Sequence, residues 1–380
     1  MSGKRTIKRT WRVVAIVISI VVAALMLASA YGGHVQPRES AVANLLTLAL
    51  LHVAVFSLVV LVVMVVLRQW AAALIVGVAM LVSWPSLRLV CPVNVFKPHI
   101  SENDSTFSII TFNSRVLGYY FGSRTGINPN MKYLIEKNPD VIIMQEGSLT
   151  GYSYEEMISV QPFMEEIKKK YPYRSHWHHD VMIMSRHPYK LLTDELKWAN
   201  IEPNHDQISD RHDSYGKVYD VFVGDDTIRI IGVHLTSFQL STKEKTITQI
   251  SNNRADGNVS RMSEFKALVK KIQVMATARA AQAKEVRRVV ERSPRNMIVC
   301  GDFNDTPASY TYRTIKGDDL NDAFAETGLG PISTYKEHGL YFKIDHVLYR
   351  GNFKAVSSVM DKIGTSDHYP QMVTFKMTKH

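Results

Sequence analysis

After residue 105, short apolar runs repeatedly end on, or lead into, an acid, an amide or an imidazole. Ile109-Ile110-Thr111-Phe112 runs into Asn113, and Val141-Ile142-Ile143-Met144-Gln145 into Glu146. Ile230-Ile231-Gly232-Val233 runs into His234, and Met297-Ile298-Val299-Cys300-Gly301 into Asp302, Phe303, Asn304 and Asp305. Phe342-Lys343-Ile344 precedes Asp345 and His346, and Gly364-Thr365-Ser366 precedes Asp367, His368, Tyr369 and Pro370. Taken singly, each polar residue could cap a turn. As a set they do not describe a core, because an unpaired buried carboxylate is costly and several together repel one another. A hard divalent cation removes the conflict. Carboxylate oxygens suit Mg²⁺, with Mn²⁺ or Ca²⁺ as alternatives, and the only cysteines, Cys91 and Cys300, argue against a zinc site.

The ordered set resembles the endonuclease/exonuclease/phosphatase superfamily, the DNase I-like hydrolases, over about residues 105–378. Gly301-Asp302-Phe303-Asn304 and Ser366-Asp367-His368-Tyr369-Pro370 carry the likeness, supported by Gln145-Glu146, Ile344-Asp345-His346 and the Ser185-Arg186-His187-Pro188 turn. The resemblance implies a role for each matching residue. Glu146 is the principal metal ligand, Asp367 a further metal-site carboxylate, and Asn113 completes the metal site or touches the scissile phosphate. Asp302 orients or deprotonates the attacking water, and Asn304 binds the phosphate. His368 stabilises or protonates phosphoryl oxygens with Asp345 against its ring, and His234 is a second general acid or base. Arg115 and Arg186 are candidate substrate contacts. The chemistry is then metal-assisted attack of water on a phosphodiester, needing no nucleotide cofactor and no covalent nucleophile.

Elements of the right kind are present to position these groups. Period-two and β-branched runs predict strands at Phe107–Phe112, Val141–Gln145, Val181–Met184, Val218–Val223, Ile228–Leu235, Met297–Cys300, Ile344–Leu348 and Met372–Phe375. Helices are expected over Asn130–Lys137, Tyr154–Lys170 and about Ser260–Arg292, the last stopping at Ser293-Pro294, with a polar loop over Ser241–Asn258. Strands alternating with helices indicate an α/β sandwich of packed mixed sheets with helices outside, which the resemblance sharpens to a four-layer, DNase I-like sandwich.

The N-terminal third is different. Nine of the 45 basic and one of the 35 acidic residues fall in the first hundred, leaving a nearly neutral remainder of 36 basic and 34 acidic residues. Uncharged stretches of 25, 28 and 19 residues separate Arg12 from Arg38, Glu39 from Arg68 and Arg68 from Arg88. With about 20 apolar residues needed to cross a bilayer, three transmembrane helices are expected within residues 13–90. The basic segment 1–12 stays in the cytoplasm by the positive-inside rule. Residues 91–104 form a short linker, and the catalytic domain, residues 105–380, emerges outside the cytoplasm. Ala28-Ser29-Ala30 resembles a signal-peptidase site. The length of the apolar run favours retention, and cleavage would leave the same outward-facing domain. The expected location is a bacterial inner membrane, with the bilayer as partner and no obligate protein partner evident.

Two substrate classes stay open, nucleic acid and phospholipid headgroup. The near-neutral catalytic domain does not favour tight nonspecific DNA binding, and a membrane anchor keeps lipid phosphoesters in reach. The reading from another class is a noncatalytic membrane-bound module on a degenerate form of the same fold.

Overall fold

The computed structural model describes residues 2–96, 98, 100–115, 128–147, 165–175, 180–192, 196, 215–238, 258–337 and 340–378. Two six-stranded sheets face each other. The first has the order β13-β14-β1-β2-β4-β3, from β1 (Thr106–Asn113), β2 (Val141–Gln145), β3 (Tyr173–Arg174), β4 (Val181–Ser185), β13 (Phe353–Met360) and β14 (Gln371–Met377). The second runs β5-β6-β7-β8-β12-β9, from β5 (Tyr189–Leu192), β6 (Gly216–Val223), β7 (Asp226–His234), β8 (Met297–Asp302), β9 (Asn321–Asp322) and β12 (Asp345–Arg350). A hairpin of β10 (Tyr335–Glu337) and β11 (Leu340–Phe342) stands apart.

Each sheet has one parallel pair, β1 with β2 and β7 with β8. A parallel pair needs a crossover. Helices Pro129–Lys137 and Asn258–Arg292 lie in the two crossovers. The shorter one starts where the Asn128 side chain accepts from the Met131 N–H with Pro129 behind it, and ends at Asn138 in the left-handed region. The long one presents Ala276, Ala280, Ala283, Val286 and Val290 at helical spacing, all buried.

Three apolar layers result. Between the sheets, Ile109, Ile143, Ile183 and Phe375 meet Ile230, Ile298 and Val347. The outer face of the first sheet buries Ile110, Ile142 and Met182 under Met131 and Leu134, and that of the second buries Val218, Ile231 and Val299 under Val286 and Tyr312. Strands β2, β4 and β8 are buried at every position. That explains why they read as continuous apolar runs rather than alternating ones. Each such side chain contributes roughly 1.5–3 kcal/mol by leaving water.

Residues 2–90 form a bundle of α1 (Ser2–Tyr31), α2 (Ala41–Leu48), α3 (Leu50–Val66), α4 (Trp70–Val82) and α5 (Trp84–Val90). Among the described residues, only the first helix is by itself long and apolar enough to cross a membrane, over Arg9–His34. The second and third apolar windows, expected as single helices, are each a bent pair: α2 meets α3 at 70° and α4 meets α5 at 64°. At the second bend Pro85 lies in the first turn of α5, where its missing N–H and fixed φ start a helix but cannot continue one. The segment 91–104 is not a free spacer: Val93 pairs with Leu329, and the Asn94 amide donates to the Ala325 and Gly328 carbonyls at 3.0 and 2.8 Å.

Sheet-edge strands β3, β5, β9 and β13 and the β10–β11 hairpin were absent from the sequence expectation. Of the expected helix Tyr154–Lys170, residues 165–170 are helical and the part before Glu165 lies outside the described residues. The expected loop Ser241–Asn258 lies outside them too, up to Asn258, where the long helix begins.

Candidate active site

Strand register alone brings the polar ends together. Asn113 is level with Gln145 across the parallel β1–β2 pair, so Glu146 follows beside it. In the second sheet His234 is level with Asp302, and Asp302 with Asp345. The two sheets meet at this edge: the Asn113 amide donates to Glu146 Oε1 at 3.0 Å and to Asp302 Oδ2 at 3.1 Å. Ser366 donates to the Asn113 carbonyl at 2.9 Å and accepts from the His368 N–H at 3.1 Å, fixing the last loop over the same spot.

Asp302, 1% exposed, lies between two imidazole–carboxylate pairs. On one side His368 Nδ1 is 2.9 Å from Asp345 Oδ2, and its Nε2 is 3.7 Å from Asp302. On the other, His234 Nδ1 is 2.7 Å from Asp180 Oδ2, and its Nε2 is 3.8 Å from both Asp302 and Glu146. Burial pushes Asp302 up to about 6, with Asp345 adding to the rise and both rings opposing it. Burial works against charge on the rings as well. Asp345 and Asp302 outweigh it at His368, and Asp180 with Asp302 and Glu146 at His234, raising each to about 10. Both rings therefore hold a proton at neutral pH and aim Nε2 at the central carboxylate.

Backbone conformation is costly at this edge. Arg115, Glu146 and Asn304 have φ of 42°, 49° and 51°, in the left-handed region that non-glycine residues avoid at a cost of order 1–3 kcal/mol each. For Asn304 the turn is held by its N–H to Asp302 Oδ1 at 2.7 Å and its side-chain amide to the Leu235 carbonyl at 2.9 Å. Gly301 serves a different need: a Cβ there would lie 1.9 Å from the Val233 carbonyl oxygen, at φ 139°. Only glycine lets β8 run that close to β7 just before Asp302.

Asp367 is raised by burial, with Glu146 and Glu337 adding to the rise, and Arg115 bridges it at 3.1 Å while reaching Glu337 at 3.3 Å. Among the described residues, the carboxylates of Glu146, Asp180, Asp302, Asp345, Asp367 and Glu337 thus face the rings of His234 and His368 and the Arg115 guanidinium, while Lys343 and Arg279, which also act on Asp345 and Asp302, are paired with Asp322 and Asp305. Negative charge is in excess even with both rings protonated. Asp345 Oδ1 is buried with no hydrogen-bond partner among the described residues, and carboxylate oxygens of Asp302 and Asp345 lie within 4.8 Å of each other and of a His368 ring nitrogen. This oxygen-rich, charge-rich set fits a hard divalent cation.

Of the residues singled out in the sequence, Asn113, Arg115, Glu146, His234, Asp302, Asn304, Asp345, Asp367 and His368 gather at one edge. Arg186 does not. In the antiparallel β2–β4 pair Gln145 is level with Val181 and Val141 with Ser185, so Arg186 is at the opposite end of β2 from Glu146. There it donates to the Asn138 carbonyl at 2.6 Å and pairs with Asp140 at 3.6 Å, a structural anchor rather than a substrate contact. Asp180 carried no such sequence signal, because it precedes an apolar run rather than following one. Tyr335, with its ring 5.0 Å from that of His368, carried no sequence signal because β10 was not expected.

Residues 111–368 match the model of the Endonuclease/Exonuclease/phosphatase family, and residues 12–90 match that of a domain of unknown function, DUF8431. No curated protein matches the chain. Solved structures similar to it include Danio rerio TDP2 complexed with single strand DNA product, at 17% identity and TM-score 0.46, covering 72% of this chain and 100% of that one. Truncated Caenorhabditis elegans TDP2 gives 15% identity and TM-score 0.44, covering 71% and 98%. The endonuclease/exonuclease/phosphatase from Bacteroides vulgatus gives 14% and 0.45, covering 72% and 99%. With well over half of its length under that family model, the chain belongs to the Endonuclease/Exonuclease/phosphatase family, metal-dependent hydrolases of phosphoester bonds.

Proposed function

We propose that the protein is a membrane-anchored phosphodiesterase whose catalytic domain lies outside the cytoplasm. The observation that carries the catalytic half is Asp302, flanked by two imidazole–carboxylate pairs and tied through Asn113 to Glu146. Glu146 and Asp367 would hold the cation, Mg²⁺ or alternatively Mn²⁺ or Ca²⁺, with Asn113 completing its site. Bound there, it would neutralise phosphate charge and stabilise the leaving oxygen. Asp302, at about 6, is ionised at neutral pH and takes the proton of the attacking water. His368 and His234, held protonated by Asp345 and Asp180, donate toward phosphoryl oxygens, and Asn304 binds the phosphate. Arg115, which bridges Asp367, would contact the same anion.

The anchor reading is supported by an inverted distribution of polarity in residues 2–90. Val17, Ile20, Val55, Val62, Leu74 and Leu81 are each more than half exposed, while Ser19, Ser29, Ser57 and Ser83 are completely buried. Such a surface suits lipid and not water. The Tyr31 hydroxyl donates to the Val82 carbonyl at 2.5 Å, so the ends of α1 and α4 are side by side. Ala15 packs with Met64 and Ala72, and Met26 with Leu50, so α3 runs back between them. With each bent pair counted as one span, three crossings with Lys4, Arg5, Lys8, Arg9 and Arg12 inside would put the catalytic domain outside.

The test is hydrolysis of bis-p-nitrophenyl phosphate by the full chain with Mg²⁺, Mn²⁺ or Ca²⁺. Chelator should abolish it, and Glu146→Gln, Asp302→Asn and His368→Ala should each cost at least about a hundredfold in rate. Near-wild-type turnover by folded His368→Ala would remove this mechanism. No turnover with any of these metals, on this or any nucleic acid or phospholipid, would favour a noncatalytic binding module instead.

A further inference from the structure

We infer that the phosphoester attacked at this site belongs to a lipid headgroup in the membrane leaflet beneath the catalytic domain. The inference rests on reading the site as a phosphoesterase on a membrane anchor. Strand β8 delivers Asp302 and Asn304, and the residues that follow make the contact with the apolar bundle. The Thr306 hydroxyl donates to the Thr47 carbonyl at 3.5 Å. Ala308 is buried among Met26, Ala30, Leu50, Ala54 and Leu87. Gly33 meets the same loop so closely that a Cβ on it would lie 2.0 Å from the Ala308 carbonyl oxygen. Arg313 closes the joint by donating to the Ala30 carbonyl at 2.7 Å and to Ser86 at 2.6 Å.

These partners share one end of the bundle. Ala30 is one residue from the end of α1, Thr47 sits just before the 70° bend into α3, and Ser86 just after the 64° bend out of α4. The short helices α2 and α5, the outer parts of the two bent pairs, therefore meet at this end as a shelf, with the catalytic loop on it. Asn304 is two positions from Thr306, a chain reach of at most about 7 Å. The headgroup layer on each side of a bilayer core is itself about 5–8 Å thick. The site thus stands at headgroup height, where a lipid phosphate needs no extraction.

The long helix supports the same placement. Gln273 donates to the Pro37 carbonyl at 3.0 Å, in the loop between the first two spans, so the turns around it lie at the level of the shelf. They display Phe265 at 53% and Val274 at 44% exposure, with Lys266 and Lys270 exposed nearby. Apolar side chains with lysines between them suit an anionic lipid surface. In the reaction the water oxygen forms a new bond to phosphorus and one ester P–O bond breaks. The departing alkoxide takes a proton, giving an alcohol and a phosphomonoester.

The experiment uses the full chain in vesicles of phosphatidylethanolamine and phosphatidylglycerol with Mg²⁺ or Mn²⁺. Three activities are followed: release of phosphorylated or free headgroup from the vesicle lipid, cleavage of a single-stranded oligonucleotide, and cleavage of bis-p-nitrophenyl phosphate. Because anchoring raises the local lipid concentration, vesicle lipid should be turned over at least about tenfold faster per phosphate than the oligonucleotide. Phe265→Ser combined with Lys266→Glu and Lys270→Glu should cut lipid turnover severalfold and leave bis-p-nitrophenyl phosphate untouched. Cleavage of bis-p-nitrophenyl phosphate and oligonucleotide with intact vesicle lipid would overturn the lipid assignment while leaving the phosphoesterase reading in place. Failure on all three substrates would sink the reading of the site itself.

Discussion

At the scale of single residues the site is a cluster of carboxylates in excess of the cations around it. Burial holds Asp302 up at about 6, so folding opposes its ionised form. A raised carboxyl favours the folded chain while protonated, and that contribution is lost as pH rises through about 6. Bound Mg²⁺ should reverse the sign of the effect. Differential scanning fluorimetry should show a larger Mg²⁺-induced rise in melting temperature near pH 7.5 than near pH 5, and a pH-independent rise would contradict the account. The two rings behave oppositely to ordinary histidines: their carboxylate partners stabilise the charged forms, a contribution complete below 6.5 and lost as pH rises through about 10. Asp180→Asn should therefore lower the pKa of His234, move the alkaline limb of the rate profile to lower pH and cost about tenfold or more in rate. An unchanged alkaline limb would exclude that pairing. Residues that end apolar strands were legible in the sequence because a polar group after four or five apolar residues has no place in a core. Asp180 was not, since a polar residue before a strand looks like any turn. Arg186 misled because a strand has two ends, and its pairing direction is invisible without its neighbours.

Among the elements, β8 bears the heaviest demands. It is buried at every position, pairs with β7 and β12, and carries Asp302 at its tip. Its approach to β7 depends on Gly301, and Gly301→Ala should destabilise the chain by at least about 2 kcal/mol while removing activity. Urea denaturation followed by circular dichroism measures this, and an unchanged midpoint would mean that the strands can part without cost. The central strands and the long helix were readable because burial on both faces and helical spacing each leave a pattern. Strand β13 was not, because its exposed and half-buried positions include Ser357 and Ser358, and it bulges between Ala355 and Ser357. The bend at Ser83 had a visible sign in Pro85. The bend at Ala49 falls within a long uncharged run, with no proline or glycine to mark it.

For the whole molecule, the composition split between an apolar, basic third and a near-neutral remainder foretold two parts but not their joint. That joint depends on Gly33, Thr47, Thr306, Ala308 and Arg313, residue types that are ordinary anywhere, and only coordinates put them in contact. Arg313→Ala should speed hydrogen exchange through Ser86–Val90 without changing hydrolysis of a soluble diester, whereas unchanged exchange would show that the joint does not depend on it. The central claim, that carboxylates from separate strand ends share one hard cation, is tested most directly by anomalous diffraction from crystals of the full chain soaked in Mn²⁺. The account predicts a single strong manganese peak at about 2.0–2.6 Å from carboxylate oxygens of Glu146 and at least one of Asp302 and Asp367. Manganese bound elsewhere, with none at those carboxylates, would contradict it.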